Sequence, residues 1–254
     1  MTKRHQLNVR LIQAFALIAL LGVWLYFTGP GDSSPLILPP IPAVGEELIA
    51  FFASSQLYQA IWVTFTELFI ALVIAIAGGV GLGFWAARSS TRSQVLEPLL
   101  VWGYLVPFIL FYPLFLLWLG FGSESKIGYA AVSSFFPIAF NSLRAFSSVN
   151  PKYVQMGRAF GASPRQLDFS IKFRAGLPLA AAGIRLGTAT CMVTVIVAEM
   201  LGSSQGLGFL VRYYSQAFDA AKTYAIILIV LLLVGLFYVA VKRLLPEDAR
   251  ALRP

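Results

Sequence analysis

One cysteine, Cys191, and one histidine, His5, stand in a chain of 254 residues. A lone cysteine closes no internal disulfide, and a lone histidine adds no Cys/His cluster for a metal. Charge is scarce as well. Asp, Glu, Lys and Arg make up 12% of the residues, about half the roughly 25% of a soluble domain. No G-x-x-x-x-G-K-[ST] run occurs, so the chain brings no phosphate-cradling loop for a nucleotide. These shortages exclude an ordinary soluble enzyme, a disulfide scaffold and a disordered polymer. Apolar side chains are what abounds, at 58% before any of the 21 glycines is counted. Too little polar surface remains to clothe a soluble globule, and the chain reads as an all-α membrane protein.

Runs long enough to span number six: Leu11 to Phe27, Ala60 to Ala87, Val95 to Phe121, Ile127 to Leu143, Pro178 to Leu201 and Thr223 to Val241. The fourth is weakened by Ser133, Ser134, Pro137 and Asn141. Six spans place both termini on one side. That side collects sixteen of the 19 basic residues, leaving only Lys126, Arg212 and Lys222 opposite. Cytoplasmic loops carry the Lys/Arg excess, so both termini are expected in the cytoplasm. The net charge of +8 is then a topology signal and not a mark of nucleic-acid binding.

Residues 1–27 form a basic segment and first span, expected to be retained because no A-x-A-like cleavage site follows. Residues 28–59 read as an extracytoplasmic segment with turn formers Gly29, Pro30, Gly31 and Asp32, then Pro35, Pro39, Pro40 and Pro42. Its Val44 to Leu57 portion has apolar residues at helical spacing and suits the interface. Residues 60–245 form the core, and 246–254 a cytoplasmic tail.

The most informative stretch is 150–178. Asn150 can cap a helix with Pro151 in its first turn, running to Phe160. Gly161 supplies a left-handed C-terminal position. Ser163 caps a second helix that begins at Pro164 and reaches about Ala175, with Arg165–Asp168 and Asp168–Lys172 at pairing distance in sequence and Leu167 and Ile171 on one face. Two short amphipathic helices joined by a glycine turn thus lie between two spans. An interfacial linker would show the same caps.

This stretch resembles the EAA loop of bacterial ABC-importer permeases. Gly161, Ile171 ten residues on, and Leu177-Pro178 keep that pattern, while Gln155, Met156 and Gly157 replace Glu-Ala-Ala and Phe173-Arg174 replaces an earlier Leu-Pro. Val197 to Gly208 is similar to a signature of the branch handling sulfonates, taurine and nitrate, which also includes permeases for thiamine precursors. The resemblance implies a type I ABC importer permease fold in the bacterial inner membrane, non-catalytic, paired with a second copy or a related chain. It implies an ATP-binding subunit holding ATP and magnesium, docked on a cytoplasmic coupling helix-turn-helix through Gln155, Arg158, Gly161, Ala162, Ser163, Pro164 and Arg165. It also implies an extracytoplasmic substrate-binding protein, received near a helix over Phe209 to Ala221 with Arg212 and Asp219 at its rim. No cofactor is expected in the chain itself, and no nucleic-acid partner.

Ionisable and helix-breaking residues at membrane depth mark paths or packing. Tyr104, Phe108, Tyr112, Asn141, Thr190, Thr194 and Glu199 are the candidates for a solute path, at the interface of the third to fifth spans. Glu67 reads either as functional or as a carboxylate snorkelling outward, and the resemblance suggests an arginine at its place; Glu199, at the outer end of its span, reads either as functional or as a cap or ion pair. Arg185 reads as a snorkelling cation, Cys191 as small-residue packing, and Gly78, Gly79, Gly81 and Gly83 as sites of close helix approach. A secondary transporter would call for repeated halves, and an intramembrane enzyme for a catalytic set. The sequence displays neither.

Overall fold

The computed structural model describes residues 3–28 and 38–245. Gly29, Pro30, Gly31, Asp32 and Pro35, and the tail from residue 246 with Arg250 and Arg253, lie outside the described residues. The described residues form helices α1 (Lys3–Phe27), α2 (Ile41–Ala53), α3 (Ser55–Ala87) and α4 (Ser90–Leu105). A 3₁₀ turn (Phe108–Phe111) leads into α5 (Tyr112–Leu119), followed by α6 (Ser123–Ser147) and α7 (Pro151–Ala159). Next come α8 (Pro164–Gln166), a π-helical segment (Leu167–Phe173), α9 (Arg174–Gly202), α10 (Leu207–Gln216) and α11 (Ala220–Leu244).

Two compact units result. One comprises residues 1–58 and 210–230. Within it Trp24 donates from Nε1 to the Pro39 carbonyl at 3.0 Å and packs on Tyr224, while Phe51 meets the Tyr214 ring edge-on. Pro40 flanks the start of α2 and Pro42 sits in its first turn, where a missing N–H costs nothing. The helical spacing from Val44 onward is met by α2, which begins at Ile41 and ends at Ala53, so that Leu57 already belongs to α3.

The other unit comprises residues 59–209 and 231–254. Its centre is the pairing of α6 with α9. Small residues make that approach possible: a Cβ at Gly183 would strike Asn141, one at Gly187 would strike Ile138, and one at Gly176 would strike Phe146. On α3, Gly79 and Gly83 are closed in the same way by Ile138 and Ser142, whereas Gly81 faces open space. Gly78 is also approached, by the Phe135 ring, so these glycines serve close packing at three positions and not at Gly81. Cys191 is fully buried beside Leu68 and Met192, in agreement with packing.

Three described helices are long and apolar enough to cross a membrane: Ser55–Ala87, the continuous Pro164–Gly202, and Ala220–Leu244. The third expected span is not one rod. Ser90–Leu105 and Phe108–Leu119 meet at a bend of 75°, where Pro107 cannot donate a helical hydrogen bond. Pro113 is harmless in the first turn of α5. The fifth span also departs from expectation: it continues back to Pro164 with no break at Ala175, and Pro178 lies inside α9.

Candidate functional site

Two places concentrate polar chemistry, and both belong to the larger unit. The first is the 150–178 segment. Asn150 accepts from the Lys152 N–H at 2.9 Å, capping α7. Gly161 has φ +76°, the left-handed value at which a side chain is strained. Ser163 and Gln166 then form a reciprocal capping box, with the Gln166 Oε1 receiving the Ser163 N–H at 2.8 Å. Gly157 has a reason of its own: a Cβ there would collide with Ile171 and Leu167, so glycine lets α7 lie directly on the π-helical segment. Asp168 pairs with Lys172 at 3.6 Å as expected, and with Arg88 at 3.2 Å; sequence spacing had pointed to Arg165.

Outward, this hairpin presents an open groove of about 540 Å³ lined by Tyr153, Met156, Gly157, Phe160, Ile171 and Arg174 among others. Phe160, at its edge, is 86% exposed, and Tyr153 and Met156 are more than half exposed. Gln155, Arg158, Gly161, Ser163, Pro164 and Arg165 are exposed around the same hairpin, and Ala162 is half-buried. The segment is therefore held by caps and packing on one side and offers aromatic and basic groups on the other.

The second place is a buried polar network joining α3, α6, α9 and the α9–α10 loop. Glu67 and Lys126 are 1% and 3% exposed and form an ion pair at 2.5 Å. Lys126 also donates to Ser203 Oγ at 2.9 Å, and Ser203 in turn donates to the Gln205 carbonyl. Glu67 is thus no snorkelling carboxylate, and Lys126 is no loop cation. Beside them Glu199 accepts from Thr64 Oγ1 and from the Gly208 N–H, both at 2.7 Å, while Thr64 Oγ1 accepts from the Leu207 N–H at 2.9 Å. Glu199 therefore caps α10 from the end of α9, where the helix N-terminus favours an anion. The closely spaced glycines from Gly202 to Gly208 make room for it. Gly206 has φ +101°, and a Cβ at Gly206 or Gly208 would run into Glu199. The glycine loop cradles the chain's own carboxylate.

The proposed path residues divide. Phe108 stacks on Phe136, and the buried Tyr112 packs against Tyr129 and close to Gly202, near the Glu199 end of α9. Asn141 donates to the Pro137 carbonyl at 2.7 Å, Thr190 to Leu186 at 3.1 Å and Thr194 to Thr190 at 2.6 Å, so their donors are engaged on their own helices. Tyr104 is exposed on α4. Arg185 is buried and donates to the Leu245 carbonyl at 2.6 Å, which replaces snorkelling with a fixed partner. Sequence reasoning missed Lys126 and Thr64. A carboxylate at span depth demands a partner, and Lys126 was one of three basic residues off the basic side.

Comparison with known proteins decides the family. Residues 79–247 match the family described as "Binding-protein-dependent transport system inner membrane component". The chain belongs to that family. Over 77% of its length this permease is 30% identical to the taurine transport system permease protein TauC of Escherichia coli, of which it covers 73%. It is equally similar, 30% over 83% of its length, to the formylaminopyrimidine transport permease protein ThiX of Halalkalibacterium halodurans, covering 84% of it. The putative aliphatic sulfonates transport permease protein SsuC of Bacillus subtilis is 27% identical over 83% of the chain and is covered over 76%. In fold it superposes on a chain of the MetNI methionine ABC transporter, solved in an inward-facing form, with a TM-score of 0.66 at 18% identity, over 78% of this chain and 97% of that one. That likeness speaks for the architecture alone.

Proposed function

We propose that this permease is the membrane subunit of an ATP-driven importer in a bacterial inner membrane, with six spans and both termini in the cytoplasm. ATP and magnesium belong to a separate ATP-binding subunit, which receives the 150–178 hairpin in a cleft. A substrate-binding protein delivers the solute on the opposite side, near α10 with Arg212 and Asp219. Two permease chains, identical or related, enclose the path, for which Phe108, Tyr112 and Glu199 are the residues this chain offers together, with Tyr104, Asn141, Thr190 and Thr194 along the same helices.

The observation that carries this reading is the hairpin itself. It is fixed by Gly161, the Ser163–Gln166 box and Gly157, and it leaves open a groove lined by Tyr153, Met156 and Phe160. An interfacial linker needs no such fixed shape. Replacing Phe160 with Asp should lower retention of the ATP-binding subunit on the purified permease by at least about tenfold, the effect of removing one aromatic anchor. Undiminished retention would contradict the docking assignment.

The solute in this reading is a small anion such as a sulfonate, taurine or nitrate. A lone Glu67 carboxylate would repel an anion, and its partner Lys126 balances that charge in place. The equal identity to a formylaminopyrimidine permease favours a second reading, a small organic ring compound. Binding measurements on the cognate substrate-binding protein separate the two.

A further inference from the structure

One residue outside the hairpin joins an ion pair and two ring contacts at its junction with α3. Arg88, one position past the end of α3, forms an ion pair with Asp168, its Nε 3.2 Å from Oδ2. Its guanidinium lies 4.7 Å from the ring centroid of Phe84 on α3 and 5.1 Å from that of Phe169 on the π-helical segment. Beneath it the rings of Phe84, Phe146, Phe169 and Phe173 form one cluster: Phe84 lies 5.1–5.4 Å from each of the other three. Phe146 on α6 stacks on Phe173 at 15°. The contacts reach α3 and α6 at once, from the face of the hairpin opposite the open groove.

We propose that Arg88 and Asp168 are positioning residues that carry movement of the hairpin into α3. A planar guanidinium can hold a carboxylate while stacking on aromatic faces, which an ammonium cannot do as well. The π-helical segment interrupts the regular α-helical bonding of the continuous Pro164–Gly202 rod. A displacement applied at the groove would be absorbed there unless a second attachment bypassed it. Arg88 supplies the bypass. α3 then carries the displacement about 30 Å along its axis to Glu67 and Thr64, which are tied into the buried polar network. The proposal rests on the importer reading and adds which contact converts docking into motion.

The test uses the complete transporter in liposomes, with its ATP-binding subunit and binding protein, and reads ATP hydrolysed per solute imported. Arg88→Ala and Asp168→Asn should each keep the ATP-binding subunit bound and raise that ratio at least about fivefold. The double variant should be no worse than the poorer single one, because both changes cut the same contact. Arg88→Lys, which keeps the charge and loses the stacking, should fall between Ala and the native residue. Unchanged ratios in both single variants would overturn the proposal. Loss of the ATP-binding subunit from the variants would also overturn it, assigning the pair to docking. Should Arg88→Ala not assemble, Arg88→Lys and Asp168→Asn decide between the same outcomes. A native chain that retains no ATP-binding subunit would instead refute the importer reading, a distinct outcome.

Discussion

Glu67 and Lys126 place two opposite charges where almost no water reaches them. Desolvating such a pair costs about as much as its attraction returns, whereas stranding one member costs about 3–5 kcal/mol. Lys126→Met alone should therefore lower the thermal midpoint of the detergent-solubilised permease well below that of the double variant Glu67→Gln/Lys126→Met, which should lie close to the native value. Equal loss in both variants would show that the pair itself is indispensable. At Glu199 the carboxylate satisfies two buried donors on two elements. Glu199→Ala strands Thr64 and the first turn of α10, and a loss of about 2–4 kcal/mol is expected in the same measurement. A capping role for Glu199 was open from the sequence, but its partners and the Glu67–Lys126 pair were not legible. Glu67 and Lys126 are distant in sequence, and no periodicity announces a contact between two helices. Capping signals are different, because Asn150 and Ser163 act within three residues of themselves.

The hairpin was therefore the most legible element, caps, glycine turn and all. What sequence spacing could not decide was the partner of Asp168, since Arg165 at i−3 looked as good as anything and Arg88 is brought in by the fold. It also could not show that the second helix continues through a π-helical turn into α9, because Leu177-Pro178 resembles a stop and tertiary packing on α6 overrides it. Gly157, which looked like a departure from pattern, turns out to be where α7 rests. Gly157→Val should cost about 1–3 kcal/mol through overpacking against Leu167 and Ile171, visible as faster hydrogen exchange across α7. At the α10–α11 turn, burial pushes the Asp219 carboxyl up, but hydrogen bonds and charge from Lys222 outweigh it and hold it below its ordinary 3.8. A carboxylate held low adds stability that is present above the ordinary value and is lost as pH falls through the lowered one. Protection of the amides at the start of α11, relative to their intrinsic exchange rates, should fall as pH drops below the ordinary carboxylate value, and Asp219→Asn should remove that acid step.

At the scale of the molecule, composition alone announced a membrane protein, and residues 79–247 carry the family match. The bend at Pro107 and the long rod from Pro164 were hidden because hydropathy reports where a chain is apolar and not where its axis turns. The same limit kept the polar network out of view, since it consists of exceptions to the apolar pattern. The central claim is that this chain moves a solute only as part of an ATP-driven assembly. Reconstituting the permease in liposomes, with and without its cognate ATP-binding subunit and binding protein, tests that directly. Solute uptake is predicted to require both partners and ATP on the side where the ATP-binding subunit sits. Uptake by the permease alone, driven by an ion gradient, would contradict the account.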